Sequence, residues 1–238
     1  MKRYADIVQL LGEVDASILR INQAYETARK DDEIDEVLKP VIKSTLENLR
    51  SILDYSAHDI WDSYTRKNNS PHFPYGPDQK SFEKSVSKNL PGLNLQRPDV
   101  YALVESIQPF KCGAPWLPDL CSKTNFNKHR GLTKQSRKNS KRSTVTLGKG
   151  AVVSRDGGCI IMIDCVLDGV SVGREAPVIV NADMKSRQIR SELGEVPVLK
   201  EFEWVEFLFD GSIVDARSLI VNSRENIDSF IKELRRIV

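Results

Sequence analysis

The sequence predicts an α+β fold in which an N-terminal antiparallel helical bundle is followed by a C-terminal antiparallel β-rich domain with a closing helix. Over residues 1–131, apolar residues recur every three or four positions, which is typical of amphipathic helices. After Lys141 the chain changes to short β-branched runs separated by glycines, which favours strands and turns. We therefore predict a helical bundle domain over 1–131 and a β-rich domain over 143–238, with the boundary at 132–142.

Two long amphipathic helices are predicted first, over residues 2–30 and 35–65. Only a short polar turn joins them, so we expect the two helices to lie antiparallel. The apolar stripe of the first helix has the spacing of a coiled-coil seam. It consists of Ile7, Leu11, Val14, Ile18, Ile21 and Tyr25. This stripe packs either within the chain or against a second copy, so a homodimer through the N-terminal helices is one hypothesis.

Shorter helices are predicted after Asp78, from Pro98, and from Trp116 to Arg130. Residues 66–77 hold three prolines and a glycine, which indicates a loop. These elements complete the predicted helical domain.

The β-rich part is defined by its turns and its last helix. The pairs Asp168-Gly169 and Asp210-Gly211 suit hairpin turns. The closing helix is predicted to open at Asn222, where Asn-Ser-Arg-Glu resembles a capping box. Alternation places Val205, Phe207 and Phe209 on one face of a strand.

Composition narrows the classes of function. The formal net charge is only +2, but no acidic residue lies between Asp119 and Asp156. The four cysteines have neither CxxC spacing nor companion histidines, so we expect free thiols, no metal and no cofactor. The N-terminus lacks the apolar core of a signal peptide, and no stretch approaches about 18 apolar residues. We therefore expect a cytoplasmic protein with no membrane partner.

A polar cluster, Asn125 to Arg130, ends the helix that begins at Trp116. Asn125 and His129 are four residues apart and share a helix face, and Lys128 and Arg130 flank His129. An imidazole beside cations suits metal-independent cleavage of RNA, whose 2′-hydroxyl is the nucleophile. We predict His129 as acid/base, Arg130 and Lys128 as phosphate-binding cations, and Asn125 as an orienting group. Alternatively, His129 is a structural histidine and Arg130 neutralises the last helical carbonyls.

The basic stretch over residues 128–142 begins inside this cluster. Lacking acids, it would attract phosphate backbones through counterion release. Its interspersed Ser, Asn and Gln residues equally suit a solvated linker. The predicted nucleic-acid-binding residues are Lys128, Lys134, Arg137, Lys138, Lys141 and Arg142.

Two further histidines have distinctive neighbours. Asp54, His58 and Asp62 recur every four residues, so we expect them to share one face of the second helix. That face either packs or is solvated, or it offers a single-metal site without a recognisable ligand motif. If Asp54 or Asp62 faced His129 across the bundle, the two would form an acid/base pair.

The third histidine, His72, follows Arg66 with five residues between them. This spacing, together with the helical N-terminal half, resembles the HEPN nuclease superfamily and its Arg-x(4–6)-His motif. The resemblance implies a helical bundle that dimerises to build a composite ribonuclease site. It also implies RNA as the partner, in a toxin or phage-defence setting.

A broader resemblance covers residues 45–132. Its ordered landmarks are Leu53-Asp-Tyr-Ser-Ala, Phe73-Pro-Tyr, Ile107-Gln-Pro-Phe, Trp116-Leu and Asn127-Lys-His-Arg. They look like the "LDY-x-A", "FP", "QP" and "N-x-KHR" elements of a group of uncharacterised bacterial proteins. The resemblance implies one helical unit and no activity. That group often has Asp before Lys-His-Arg, and Asn127 here removes a carboxylate partner for His129.

Two functions stay open at this point. The first is a HEPN-like RNA-directed protein that acts as a metal-independent ribonuclease. The second is a non-catalytic module that binds protein or nucleic acid. The sequence does not decide whether the chain is an enzyme.

Overall fold

The computed structural model describes residues 1–65, 67, 70–154 and 158–238, and within 128–130 it describes the backbone alone. It confirms the predicted α+β class, with helices first, antiparallel strands next and a helix at the end. Two compact units are present. The helical unit comprises Met1–Ile21, Leu38–Lys134 and Phe209–Val238, and the β unit comprises Asn22–Val37 and Gln135–Leu208.

The two predicted long helices are present as α1, Tyr4–Arg29, and α2, Lys39–Tyr64. Pro40 lies in the first turn of α2, where its missing N–H costs no helical hydrogen bond. The antiparallel arrangement is confirmed at the end of the pair, where Arg3 donates to Asp59 at 2.9 Å. Leu11, in the apolar stripe of α1, is buried within the single chain, with 8% of its surface exposed.

Three helices of the first part match the predicted positions after Asp78, from Pro98 and from Trp116, and two further helices of four residues each were not predicted. They are α3 Gln79–Asn89, α4 Leu93–Gln96, α5 Pro98–Ser106, α6 Pro109–Cys112 and α7 Trp116–Arg130. Asp78 caps α3 by accepting from the Ser81 backbone N–H at 2.8 Å. Gly131 ends α7 with a φ of 96°, a conformation that glycine adopts without steric cost.

The closing helix, α9, differs from its prediction at both its start and its packing. It spans Ala216–Ile237 and is capped by Asp215, so the predicted start at Asn222 is wrong. Asp210-Gly211 forms a tight turn that leads towards α9, not a hairpin between strands. The sequence grouped the closing helix with the strands, whereas α9 packs against α2, α5 and α7 in the helical unit.

The strands of the β unit are short. They are β1 Gln135–Asn139, β2 Ser143–Leu147, β3 Ala151–Ser154, β4 Cys159–Met162, β5 Cys165–Leu167, β6 Val170–Val172, β7 Val178–Asn181, β8 Val198–Phe202 and β9 Val205–Phe209. They form a sheet of order β3-β2-β8 and the pairs β1-β9, β4-β7 and β5-β6. One further helix, α8, spans Ser186–Leu193 and packs on β7 and β8. The predicted Asp168-Gly169 hairpin is confirmed, since Leu167 pairs with Val170 across it.

The segment 132–142 holds a strand that the sequence did not predict. Residues 135–139 form β1, which pairs with β9, and the Ser140 N–H donates to the Trp204 carbonyl at 2.9 Å. On β9, Val205, Phe207 and Phe209 are buried, which confirms their predicted common face. The strand consists of Gln-Ser-Arg-Lys-Asn and lacks the apolar alternation by which strands are recognised, which accounts for the miss.

Among the described residues, none of the helices combines the length and the hydropathy needed to cross a membrane.

Replacing Asp215 tests where α9 begins. The Asp215 carboxylate accepts from the Ser218 N–H and hydroxyl, both at 2.9 Å. Asp215→Ala should therefore lower the free energy of unfolding by about 1 kcal/mol, as loss of an N-cap does. Asn222→Ala is the matched control and should change it by less than about 0.5 kcal/mol. Urea unfolding followed by circular dichroism measures both, and a larger effect at Asn222 would contradict the assignment.

Candidate functional site

The sequence-predicted cluster occupies the last two turns of α7. The side chains of Lys128, His129 and Arg130 lie outside the described residues, so their predicted roles stay predictions. Asn125 is exposed and forms a side-chain hydrogen bond with Tyr75. Asn125 thus connects α7 to the loop over 70–77, which follows α2.

Arg50 lies beside this contact and was missed by the sequence analysis. Its side chain is only 13% exposed, and its guanidinium lies 3.2 Å from Asp54. It also donates to the Cys121 sulfur at 2.6 Å and lies 5.3 Å from the centre of the Tyr75 ring. The four-residue spacing of Arg50 and Asp54 along α2 was the available signal.

Asp54 is the centre of the arrangement. One carboxylate oxygen accepts from the Phe73 backbone N–H at 2.8 Å, and the other lies 3.6 Å from Nδ1 of His72. The His72 side chain is 71% exposed. A mostly solvent-accessible imidazole is therefore held beside a carboxylate, which in turn is paired with Arg50.

The predicted set of Asp54, His58 and Asp62 does not act as one cluster. Asp62 lies 3.2 Å from Arg3 at the start of α1, whereas Asp54 contacts the loop over 70–77. No group of three potential metal ligands occurs in the part of the chain that is described. Asp54 is half-buried and Asp62 is exposed, so this face is packed at the first position and solvated at the second.

Gln108 fixes the same loop from the side of α5 and α6. It is fully buried, accepts from the Gly76 N–H at 3.2 Å and donates to the Val104 and Pro74 carbonyls at 3.0 and 3.4 Å. Gly76 has no room for a side chain, because an added Cβ would lie 2.3 Å from the Phe82 nitrogen. The loop therefore has one tightly defined path.

Cys121, on α7, is not a nucleophile of this site. It is 2% exposed, and burial raises the pKa of its thiol to about 11, although the charge of Arg50 acts in the opposite direction. Its sulfur serves as a hydrogen-bond acceptor for Arg50. Burial also raises the pKa of Tyr75, so the phenol next to Asn125 stays protonated at neutral pH.

The landmarks of the broader resemblance meet in space. Asp54 of Leu53-Asp-Tyr, the Phe73-Pro-Tyr segment and Gln108 of Gln-Pro are joined by the hydrogen bonds described above. Asn127 has a different task, because its buried Oδ1 accepts from the Thr133 N–H at 3.0 Å and hydroxyl at 2.7 Å. Asn127 therefore fixes the chain as it leaves α7.

The spacing that resembles the HEPN motif falls only partly within the described residues. Arg66 lies outside them, and His72 lies in a loop three residues before the half-buried Tyr75. The imidazole of His72 lies next to Asp54, and its backbone N–H donates to Asn89 at 3.4 Å.

The predicted phosphate-binding residue Arg137 is used internally. Its guanidinium donates to the carbonyls of Ala28, Asp31 and Ile34 at 2.6 to 2.8 Å, and Nε donates to Asn139 at 2.7 Å. Burial lowers the pKa of Arg137, although nearby aspartates oppose this. Its donors hold the turn after α1, so phosphate contact by Arg137 would require breaking these bonds.

Among the residues of the basic stretch whose side chains are described, the exposed ones include Lys134, Lys138, Lys141 and Arg142. Lys138 lies 3.2 Å from Glu206 and 5.5 Å from the ring centre of the half-exposed Trp204. Lys134 lines a cavity of about 320 Å³ at the end of α7, together with Lys123 and Phe126. The Phe126 side chain is 40% exposed. Two cations and an accessible ring therefore share this cavity.

Comparison of the chain with models of known protein families, with curated proteins and with solved structures finds no match. What the site can do must therefore be inferred from its side chains. The helical unit offers a carboxylate–imidazole pair with a neighbouring guanidinium, and a separate cavity with two lysines and a phenyl ring. The first suits proton transfer, and the second suits a nucleotide.

Replacing Gln108 tests whether the loop over 70–77 depends on it. Gln108→Ala leaves the buried Gly76 N–H and Pro74 carbonyl without that partner, so stability should fall by about 2–4 kcal/mol. The measurement is the free energy of unfolding in urea. Gln79→Ala is the control, because Gln79 is exposed and its side chain donates to the exposed Glu83 at 3.0 Å. A Gln108 effect as small as that of Gln79 would contradict the role.

Proposed function

We propose that the helical unit binds RNA and cleaves it with its own acid–base groups, using the RNA 2′-hydroxyl as the nucleophile. The observation that carries the proposal is the Asp54–His72 pair, with a 3.6 Å separation and an accessible imidazole. The HEPN-like resemblance in the sequence leads to the same class of reaction. The proposed setting is a bacterial cytoplasm, in a toxin or phage-defence system.

Asp54 would orient His72 for proton transfer. Its oxygen faces Nδ1, so a hydrogen bond there would leave Nε2 to take the proton of the 2′-hydroxyl. The 3.6 Å separation is longer than a hydrogen bond, and such contacts commonly shorten when substrate binds. The guanidinium of Arg50, 3.2 Å from the carboxylate, holds it in place.

A second group is needed to protonate the leaving 5′-oxygen. The sequence-based candidate is His129, which follows Asn125 by one turn of α7 and is flanked by Lys128 and Arg130. Under this proposal the two cations stabilise the charge that develops on the phosphate. Asn125 would orient the substrate next to Tyr75.

RNA binding is supported by the cavity at the end of α7. Lys123 and Lys134 would contact phosphates, and the ring of Phe126 would stack on a base. A single-stranded substrate fits best, because its bases are free to stack. A homodimer through α1 remains a separate prediction.

A non-catalytic nucleic-acid-binding module is the second candidate. It is favoured by the surface of the β unit, where Lys138 lies beside the half-exposed Trp204. A lysine next to an accessible indole is a suitable contact for single-stranded nucleic acid. Under this candidate the Asp54–His72 pair is structural.

Substitution of the three histidines one at a time separates these functions. On a fluorescent single-stranded RNA, His72→Ala and His129→Ala should each reduce the cleavage rate by about 100-fold or more, the usual contribution of an acid–base group. His58→Ala is the matched control, since it is a half-buried histidine on α2 and has no role in the proposal. Its rate should equal that of the unsubstituted chain.

Binding of the same RNA is measured in parallel by fluorescence anisotropy. Affinity should survive His72→Ala and fall in Phe126→Ala, while the helical circular dichroism stays unchanged in every variant. Cleavage that is absent from the unsubstituted chain, or that survives His72→Ala, would contradict the ribonuclease proposal. Retained binding in that case would favour the second candidate.

A further inference from the structure

The cavity at the end of α7 is built from three segments of the helical unit that hydrogen bonds hold together. Its volume of about 320 Å³ is within the range of small-molecule sites. The segments are α7, the chain that leaves α7, and the turn at Asp210. The buried Oδ1 of Asn127 accepts from the Thr133 N–H and hydroxyl, so it fixes the second segment to α7. The Asp210 N–H donates to the Lys134 carbonyl at 2.9 Å, which fixes the turn to the second segment.

The lining of this cavity combines apolar, cationic and acidic side chains. Phe126 and Leu132 are 40% and 41% exposed and provide an apolar surface on which a base can stack. Lys123 and Lys134 supply positive charge for phosphates. Among the described residues of the lining, Asp210 is the only acidic one, and it is exposed. A carboxylate repels phosphate, so Asp210 would contact a different part of an RNA strand, the base.

A carboxylate can distinguish the four bases of RNA, because it has two acceptor oxygens and no donor. Guanine alone carries two adjacent N–H donors, on N1 and N2, and both can donate to one carboxylate. Adenine and cytosine each present one amino donor beside a ring nitrogen that is an acceptor, and uracil presents one N–H between two carbonyls. With each of these three bases the carboxylate therefore loses a hydrogen bond and faces an acceptor.

We propose that Asp210 makes this cavity a guanine site, in which its carboxylate accepts from N1–H and N2–H of guanine while the ring of Phe126 stacks on the base. The inference rests on the RNA binding proposed above, but not on the cleavage step. Lys123 and Lys134 would contact phosphates of the same strand. The helical unit would thus prefer strands that contain guanine, whereas stacking and charge alone give no such preference.

Fluorescence anisotropy tests this preference with labelled oligouridylate strands that carry one central guanine, inosine, adenine or cytosine. The protein is the full chain with His72→Ala, so that the strands stay intact. The guanine strand should bind about tenfold more tightly than the adenine and cytosine strands, as expected of a bidentate contact to a base edge. Inosine keeps N1–H and lacks the N2 amino group, so its strand should have an intermediate affinity.

Substitutions then assign the preference to a side chain. Asp210→Asn should bring the guanine and adenine strands to within about twofold of each other, since an amide has only one acceptor oxygen. Asp168→Asn is the matched control, because Asp168 is an exposed aspartate in another Asp-Gly turn, and it should leave the preference unchanged. Phe126→Ala should weaken all four strands by a similar factor, because stacking tolerates every base.

The possible outcomes separate the guanine site from the proposed function. Equal affinity for all four strands, inosine bound as tightly as guanine, or a guanine preference that persists in Asp210→Asn overturns the guanine site and leaves the ribonuclease proposal standing. Strands that do not bind at all overturn the proposed RNA binding and the guanine site with it. The inosine comparison needs no change at Asp210, so it decides the point even if Asp210→Asn does not fold.

Discussion

The carboxylate of Asp54 is the contact on which the arrangement of the helical unit depends. It accepts the Phe73 N–H, pairs with Arg50 and lies next to His72. Through Arg50 it is also connected to Cys121 on α7. The guanidinium and the backbone N–H compensate the half-buried carboxylate for the hydration that it loses. The contact between Asp54 and Phe73 is therefore stable enough to fix the loop over 70–77, which contains three prolines. Removing one partner would leave the others without compensation.

The helices could be predicted because their signals are local. Apolar residues at spacings of three and four, with helices expected after Asp78 and from Trp116 to Arg130, predicted bounds close to those of α1, α2, α3 and α7. The start of α9 was misplaced because both Asp215 and Asn222 precede a plausible first turn. Only Asp215 reaches a free N–H, that of Ser218, and sequence spacing does not show which of the two does.

The candidate site was predictable in part. The sequence pointed to the end of α7 and to the histidines, and the landmarks at Asp54, Phe73 and Gln108 do come together. The Asp54–His72 contact depends on the path of the loop, which no periodic pattern encodes. The sequence also does not show which cations of the basic stretch are exposed. Arg137 binds backbone carbonyls that only the folded turn presents, whereas Lys138 stays at the surface. Residue type alone does not distinguish a structural cation from a ligand-binding one.

Amide hydrogen exchange of the Phe73 N–H tests the central role of Asp54 most directly. In Asp54→Ala this amide loses its acceptor, and we expect its exchange to accelerate by about tenfold or more, together with that of neighbouring amides in 71–77. Asp62→Ala is the matched control on the same helix and should leave the loop unchanged, because Asp62 pairs with Arg3. Equal protection of Phe73 in the unsubstituted chain and in Asp54→Ala would contradict the account.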